Sequence, residues 1–484
     1  MTFKRLLGIM LSLMLIAISW VGLAQLKIGL VVRSMSHEGV PMVFMAPKAV
    51  RHRPGILIAH GFAGSKQLMF GYGYTLAHNG YGVLLLDFDG HGANAAPLDK
   101  GNLQNNFKTA LAVLKRQPEI DPDKIGILGH SMGSRVVMVG GIEQAKAISA
   151  VVAISPTDAP VNPTKPQNLQ LQAGEWEGKF VRQSAKLLQR AGGANPNTEN
   201  GEGRSRIIVP QSEHILVLFK DRSHQAALKW FNSVFHQTSK ESDYRDRRMA
   251  WYSLHLLSWL LLLAMVSPSI VRNLSRPSVR PRPLRSWLGL GIVPFSTAGI
   301  IYVMSLRTPL SNMGGMLVGG ALGLWLFIAG LTWIGIISRF PKPTLKSMGY
   351  GLLLFGVLWM GFGAMAQETW LEWWLNSNRL KLWPVLACAC FPWFLASGIV
   401  QLDTSIGKRI LWWFAQSLSL TAGLIVTLIL VPDLSFLALI TPIIPIVLAI
   451  LSFAAAQIKE AWSYAIASAL FFGWTIASVF PLAV

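Results

Sequence analysis

Nine apolar runs of membrane length constrain this chain more than any other feature. The first, residues 6–24 (LLGIMLSLMLIAISWVGLA), is uncharged and follows Lys4 and Arg5. Eight more begin at Met249, near 249–267, 287–305, 314–337, 347–366, 383–401, 410–430, 435–455 and 462–482. A hydrocarbon core about 30 Å thick needs about 20 apolar residues, and a helix satisfies every backbone group within its own segment. The sequence therefore predicts an N-terminal signal anchor over 1–24 and an all-α multi-span transmembrane domain over 249–484, with about eight helices. Gly22-Leu23-Ala24 also fits a small-x-small cleavage site, which leaves a removed signal peptide as the alternative.

Charge gives the orientation. Residues 25–250 hold 27 Lys/Arg against 18 Asp/Glu, and the remainder of the chain holds 16 against 5. The second excess lies in short connections between apolar runs, where bilayer orientation explains it and nucleic-acid binding does not. If the first run exits the cell, the inner flanks carry Lys4, Arg5, Arg272, Arg276, Arg280, Arg282, Arg285, Arg339, Lys342, Lys346, Lys408, Arg409 and Lys459. The outer connections carry Arg307, Arg379 and Lys381. That asymmetry predicts a multi-pass cell-membrane protein with residues 25–240 on the extracytoplasmic side.

Residues 25–240 follow a different pattern, and residues 241–248 form a charged juxtamembrane linker. ILIAHG, YGVLLLDFDG, KIGILGHS, AVVAISP and NLQLQAGE each read as a buried strand ending in glycine or a polar residue. Helix-length stretches such as 66–80 and 104–117 lie between them. The alternation predicts an α/β fold with a doubly wound, mostly parallel sheet, whose reactive groups gather at the carboxyl ends of the strands. The Gly/Asn-rich stretch 191–203 reads as a mobile loop.

IGILGHSMGSRVV (125–137) places Ser131 in a G-x-S-x-G turn between strand and helix. Such a match arises by chance roughly 0.3 times in a chain of this length and glycine content, so context must decide its meaning. A serine hydroxyl is a poor nucleophile until a base takes its proton, and a helix N-terminus aims backbone N–H groups, here that of Met132, at a developing oxyanion. Five pieces stand in register: HGFAGSK (60–66), LLDFDGHG (85–92), GHSMGS (129–134), GEWEG (174–178) and SEHILVLF (212–219). On these pieces residues 54–236 resemble the α/β-hydrolase superfamily, in its dienelactone-hydrolase-like and lysophospholipase-like esterase branch.

The resemblance implies Ser131 as nucleophile, His214 as base, and the backbone N–H groups of Phe62 and Met132 as the oxyanion hole. His224, on the following amphipathic stretch, is the alternative base; His60, His91 and His130 read as loop-orienting. The family usually places Asp three residues after the glycine that ends its acid strand, and here Gly174 leads to Glu177. Any carboxylate that reaches the imidazole N–H can orient it. Glu175 is the alternative acid, and Asp158 a third. About a dozen residues separate AVVAISP from NLQLQAGE, which leaves no room for a large lid.

The membrane half offers less chemistry. After His255 its acids are Glu368, Glu372, Asp403, Asp433 and Glu460, all at predicted loops or span ends, which speaks against an ion-coupled carrier. Cys388 and Cys390 lie in an apolar run and read as small core residues, so no metal and no cofactor is expected. ETWLEWWLNSNRLKLW (368–383) places Trp370, Trp373 and Trp374 on one helical face, an interfacial aromatic belt or a lipid-facing platform. Two functions follow for test. One is a membrane-anchored serine hydrolase acting on a small-molecule or lipid ester, with acyl transfer as a variant. The other is a non-catalytic α/β-hydrolase-like module that binds a ligand and signals through the spans.

Overall fold

A computed structural model of the chain describes residues 2–48, 51–237, 244–271, 282–338, 341–402 and 405–484. Residues 241–243 of the expected linker, Arg272, Arg276, Arg280 and Arg339 of the expected inner flanks, and Asp403 lie outside the described residues. The chain divides into two compact units. One comprises Met1–Ile18, Leu254–Met365 and Leu375–Val484; the other comprises Ser19–Ser253 and Ala366–Trp374.

The second unit is built on an eight-stranded sheet in the order β1-β2-β4-β3-β5-β6-β7-β8. The strands are β1 (Leu30–His37), β2 (Val40–Pro47), β3 (Arg53–Ala59), β4 (Gly82–Leu86), β5 (Ile120–His130), β6 (Ala150–Ile154), β7 (Leu169–Gly174) and β8 (Arg204–Val209). β1 and β2 form a hairpin closed by Glu38 and Gly39, both at positive φ (49° and 77°), as a two-residue type I′ connection requires. β2 meets β4 antiparallel, and every later pairing is parallel. This edge hairpin is absent from the strands expected from sequence. Its first strand is half exposed, so its apolar pattern is diluted.

Strand periodicity supplies two cores. Leu57, Ala59, Ile125, Ile127, Val151 and Ala153 point to the face covered by α3 (Leu103–Lys115), α4 (Met132–Glu143) and α5 (Gly178–Arg190). Their neighbours Ile56, Ile58, Leu128, Val152 and Ile154 point to the opposite face, covered by α2 (Phe70–His78) and α6 (Asp221–Phe235). Because both faces are covered, the central strands read as continuous apolar runs rather than alternating ones. Truncating one of these side chains, as in Leu128→Ala, is expected to cost about 2–5 kcal/mol through transfer and cavity terms. Residues 155–168, between β6 and β7, contain no helix. The expected loop 191–203 is irregular but anchored: buried Arg204 donates to the carbonyls of Ala191, Gly201, Gly203 and Pro163.

Among the described residues, eight helices are long and apolar enough to cross a membrane. They are α1 (Phe3–Gln25), Arg248–Ile270, Pro283–Ser305, Gly319–Ile337, Leu345–Thr369, Ser377–Val400, Ile406–Leu430 and Ala461–Val479. The span expected near 435–455 is instead a pair, Pro432–Ile440 and Ile444–Ile458, bent by 55°. Pro442 and Pro445 explain the break, since each removes a backbone donor and crowds the preceding turn. Within the helical unit, small residues permit close backbone approach. A Cβ on Gly330 would fall 2.1 Å from Trp393 N, and one on Gly473 would fall 2.7 Å from Ala387 N. Buried Arg379 caps the end of the last helix by donating to the carbonyls of Ala477, Ser478 and Phe480.

One local expectation fails. Residues 370–376 are not helical, so Trp370, Trp373 and Trp374 share no helical face; Trp373 is buried and Trp374 exposed. Gln367 Oε1 accepts from the N–H groups of Trp373 (2.6 Å) and Trp374 (3.0 Å), and these side-chain bonds replace the helical ladder. This segment belongs to the compact unit of the sheet.

Candidate active site

The site sits at the carboxyl ends of β5, β7 and β8, where a parallel sheet leaves its loop backbone free for chemistry. β5 ends at His130, and α4 begins at Met132, leaving Ser131 to make the turn at φ 51° and ψ −113°. That conformation is strained for a residue with a Cβ and persists only where the surroundings impose it. They do so through two close approaches. A Cβ on Gly129 would fall 2.3 Å from the Gly133 carbonyl oxygen, and one on Gly133 would fall 2.5 Å from that of His60. Ser131 N–H donates to the Ile154 carbonyl (2.9 Å), and Ser134 Oγ donates to the Ser131 carbonyl (2.5 Å). The turn is therefore pinned on both sides of the hydroxyl.

The loop after β8 brings His214 to Ser131, with His214 Nε2 3.1 Å from Ser131 Oγ. The other ring nitrogen, Nδ1, lies 2.5 Å from Glu177 Oε1. Glu177 is buried, and its second oxygen accepts from Ser155 Oγ (2.9 Å) and Gly174 N–H (2.6 Å). With an acceptor-only carboxylate at Nδ1, that nitrogen carries the proton and Nε2 is left to accept from Ser131. Glu213 fixes the loop: its carboxylate accepts from the N–H groups of Ile215 (3.0 Å) and Leu216 (2.7 Å). His130 Nε2 donates to the His214 carbonyl (3.1 Å), and Phe180 stacks on the His214 ring at 4.6 Å. Burial, reinforced by neighbouring His214, pushes His130 well below the ordinary histidine value, which keeps its ring neutral as that clamp.

The alternatives lie elsewhere. His224 is buried under α2, with Nε2 donating to the Leu218 carbonyl (2.8 Å) and its ring edge-on to Tyr72. Glu175 accepts from Gln211 N–H (2.8 Å), and Asp158 pairs with Arg190 (3.1 Å) at the surface. None of the three bonds to the Ser131–His214 pair. His60 and His91 occupy the loops beside the site. His60 Nε2 accepts from Phe88 N–H (3.1 Å) while Nδ1 donates to the Gly61 carbonyl (2.7 Å); His91 Nδ1 donates to the Asp89 carbonyl (2.9 Å). Burial lowers His60 below the ordinary histidine value despite the nearby Asp87 carboxylate, consistent with this neutral tautomer.

Both expected oxyanion donors border Ser131. Met132 is the first residue of α4, so its N–H has no partner four residues back. Phe62 follows Gly61, and a Cβ on Gly61 would lie 3.1 Å from Ser131 Cβ, so this loop passes directly over the serine. Sequence reasoning did not find Ser155, the second anchor of Glu177, nor Phe180, the platform under His214. Neither stands in a motif, and only tertiary contact reveals them. Among the described residues, no three His, Cys, Asp or Glu side chains come together as a metal site.

The strand order, the strained serine between β5 and α4, and the loops that follow β7 and β8 define the α/β-hydrolase fold. Residues 54–206 match the family model described as alpha/beta hydrolase fold. Two uncharacterized proteins of Mycobacterium tuberculosis, from strains CDC 1551 and H37Rv, are each 29% identical over 103 residues. The match covers 21% of this chain and 36% of each relative, so the chain spans about a third of their length. Among solved structures, dienelactone hydrolase from Anabaena variabilis is 18% identical, covering 43% of this chain and 97% of that one, with a TM-score of 0.32. Est1E from Butyrivibrio proteoclasticus with ferulic acid bound is 15% identical (43% and 100% covered, TM-score 0.35). A membrane phospholipase A described as a bacterial virulence factor is 14% identical (48% and 99%, TM-score 0.34). The family match and the strand order, not these likenesses, carry the fold assignment.

Proposed function

We propose that the protein is a membrane-anchored serine hydrolase that cleaves carboxylic esters through an acyl-enzyme. The observation that carries this reading is the continuous chain Ser131 Oγ–His214–Glu177, with distances of 3.1 and 2.5 Å, on a serine held at φ 51°. Ser131 Oγ attacks the ester carbonyl carbon while its proton passes to His214 Nε2. The carbonyl oxygen, now an oxyanion, takes the N–H groups of Phe62 and Met132, whose donation strengthens as charge develops. Glu177 stabilises the imidazolium without itself taking the proton. Collapse of the tetrahedral intermediate breaks the bond to the alcohol oxygen, which leaves with the proton from His214. Water then repeats the sequence on the acyl-enzyme and releases the acid; an acceptor alcohol in place of water would give acyl transfer.

The substrate is an ester with an apolar acyl group. Between Leu30 and Ser253, the exposed large apolar side chains among the described residues are Trp176 (63%) and Leu216 (45%). Trp176 precedes Glu177 and Leu216 lies two residues after His214, so both flank the reacting groups and neither has a core to fill. With no helical lid between β6 and β7, an acyl chain is received on an open surface. The charge asymmetry supports an extracytoplasmic placement, which makes acyl lipids or envelope esters the accessible substrates. The test is hydrolysis of an ester series from acetate to long acyl chains by the full chain in detergent or nanodiscs. Hydrolysis that rises with chain length and vanishes in Ser131→Ala is expected. Equal, negligible turnover by both proteins would replace this reading with the ligand-binding module. Reporter fusions at residue 100 and after Lys459, read on opposite sides of the membrane, test the topology.

A further inference from the structure

Three consecutive residues behind the oxyanion loop are held by one glutamate from far along the chain, two by its carboxylate and one by its backbone N–H. Glu372 Oε2 accepts from Lys66 Nζ (2.7 Å) and Gln67 Nε2 (2.6 Å), while Glu372 N–H donates to Ser65 Oγ (3.2 Å). Its other oxygen accepts from Gln367 Nε2 (2.9 Å). Ser65, Lys66, Gln67 and Glu372 are all buried. Residues 366–374 run from the last turn of one helix of membrane length, Leu345–Thr369, toward the next, Ser377–Val400, yet they cluster with the sheet.

Lys66 links Glu372 to the site. Its ammonium lies 2.5 Å from Asp87 Oδ2, and its backbone N–H donates to Asp87 Oδ1 (2.7 Å). Burial works against that ammonium, but Asp87 and Glu372 outweigh it and hold Lys66 above the ordinary lysine value. The residue after Asp87 is Phe88, whose N–H fixes His60, and His60 in turn donates to the Gly61 carbonyl. Gly64 N–H donates to the same carbonyl (3.1 Å). The Gly61 carbonyl and the Phe62 N–H belong to one planar peptide unit, so fixing the oxygen fixes the direction of the N–H.

We propose that Glu372 is a positioning residue. Its carboxylate holds Lys66 and Gln67 and, through Lys66 and Asp87, keeps the Gly61–Phe62 peptide aimed at the oxyanion. The inference rests on the hydrolase reading above. It also makes the segment 366–374 part of the catalytic unit, so excising residues 19–253 alone would leave the oxyanion loop unsupported. An oxyanion donor acts mainly in the transition state, so losing its aim lowers kcat and leaves KM nearly unchanged. A merely structural role would lower the amount of competent enzyme, not the turnover of each competent site.

The experiment compares wild type, Glu372→Gln and Glu372→Ala in the full chain in nanodiscs. The Gln variant is nearly isosteric and leaves Lys66 paired with Asp87, which guards against simple unfolding. Turnover is normalised to sites titrated with a fluorophosphonate, and hydrogen exchange is followed at residues 61–69. The expected result is a kcat per titrated site lower by about 10- to 100-fold in Glu372→Ala. KM should stay within about twofold, the Gln variant should fall between, and exchange at 61–69 should rise. Unchanged turnover per site, or unchanged exchange at 61–69, overturns the proposal. A wild type with no reactive Ser131 sinks the hydrolase reading instead, and the exchange data still judge the hold on the loop.

Discussion

The two compact units bury polar groups for different ends. Among the described residues, the sheet unit buries Lys66, Asp87, Asp89, Glu177, Arg204, Arg248 and Glu372, whereas the helical unit buries Arg379. In the sheet unit Lys66, Asp87 and Glu372 are linked to one another and Glu177 to His214, so burial of these four serves to orient groups beside the candidate site. Arg379 instead satisfies the carbonyls that end a helix. The helical unit exposes large apolar side chains along its length, among them Leu284, Ile292, Leu345, Val385 and Ile429, as a lipid-facing surface would. A charge isolated in hydrocarbon is expensive, so a unit built for lipid has little freedom to hold an acid–base pair. On the proposed hydrolase reading the chemistry belongs to the sheet unit, and variants in the two units should separate accordingly.

The largest effect is expected at the reacting groups. Ser131→Ala and His214→Ala should each lower ester turnover by at least about 10³-fold with folding retained, as read by steady-state kinetics and circular dichroism. Glu177→Gln should cost about 10²- to 10⁴-fold, whereas Glu175→Gln and Asp158→Asn should stay within about twofold. Comparable losses at Glu175 would move the orienting role away from the buried carboxylate. Next in size, Trp176→Ser and Leu216→Ser should each lower kcat/KM for long acyl esters by about 10-fold, with acetate esters nearly unaffected. A uniform loss across chain lengths would contradict an acyl-binding role.

A pH effect on stability separates the units further. His60 and His130 both titrate below the ordinary histidine value because burial disfavours their charged forms. The unfolded chain therefore binds more protons than the folded one as pH falls below about 6.5, and stability rises with pH through that window. Thermal unfolding of the sheet unit should shift to lower temperature between pH 7.5 and 5.5, with the helical unit's transition much less affected. The smallest effect is expected in the helical unit, where Glu460 accepts from the N–H groups of Trp462 (3.1 Å) and Ser463 (2.6 Å) as a helix cap. Glu460→Ala should cost about 1 kcal/mol of local stability and leave ester turnover within about twofold.

Much of the sheet unit was legible because short-range chemistry carried it. Glycines on either side of Ser131, the His-Gly-Phe turn and the spacing from Gly174 to Glu177 are local demands of backbone geometry, so they leave a pattern in the sequence. β1 escaped notice because an edge strand is half exposed and its alternation is blurred. The bend near Pro442 was visible as two prolines within an apolar run, a signal that mean apolarity overrides. Glu372 left no signal of its own. Nothing local distinguishes an acid in an outer loop from one that crosses 306 positions of sequence to meet Lys66. The Trp370–Trp374 segment departs from the helix that its composition suggests for a different reason: Gln367, six and seven positions earlier, takes the N–H groups of Trp373 and Trp374, a side-chain bond that periodicity does not announce.

The central claim is that Ser131 is activated by His214 and Glu177. The most direct measurement is covalent labelling of the full-length protein with a fluorophosphonate, mapped by peptide mass spectrometry. The account predicts stoichiometric phosphonylation of Ser131, abolished in Ser131→Ala and slowed by orders of magnitude in His214→Ala and Glu177→Ala. An unlabelled Ser131 in folded protein, or labelling that proceeds equally without His214, would contradict it.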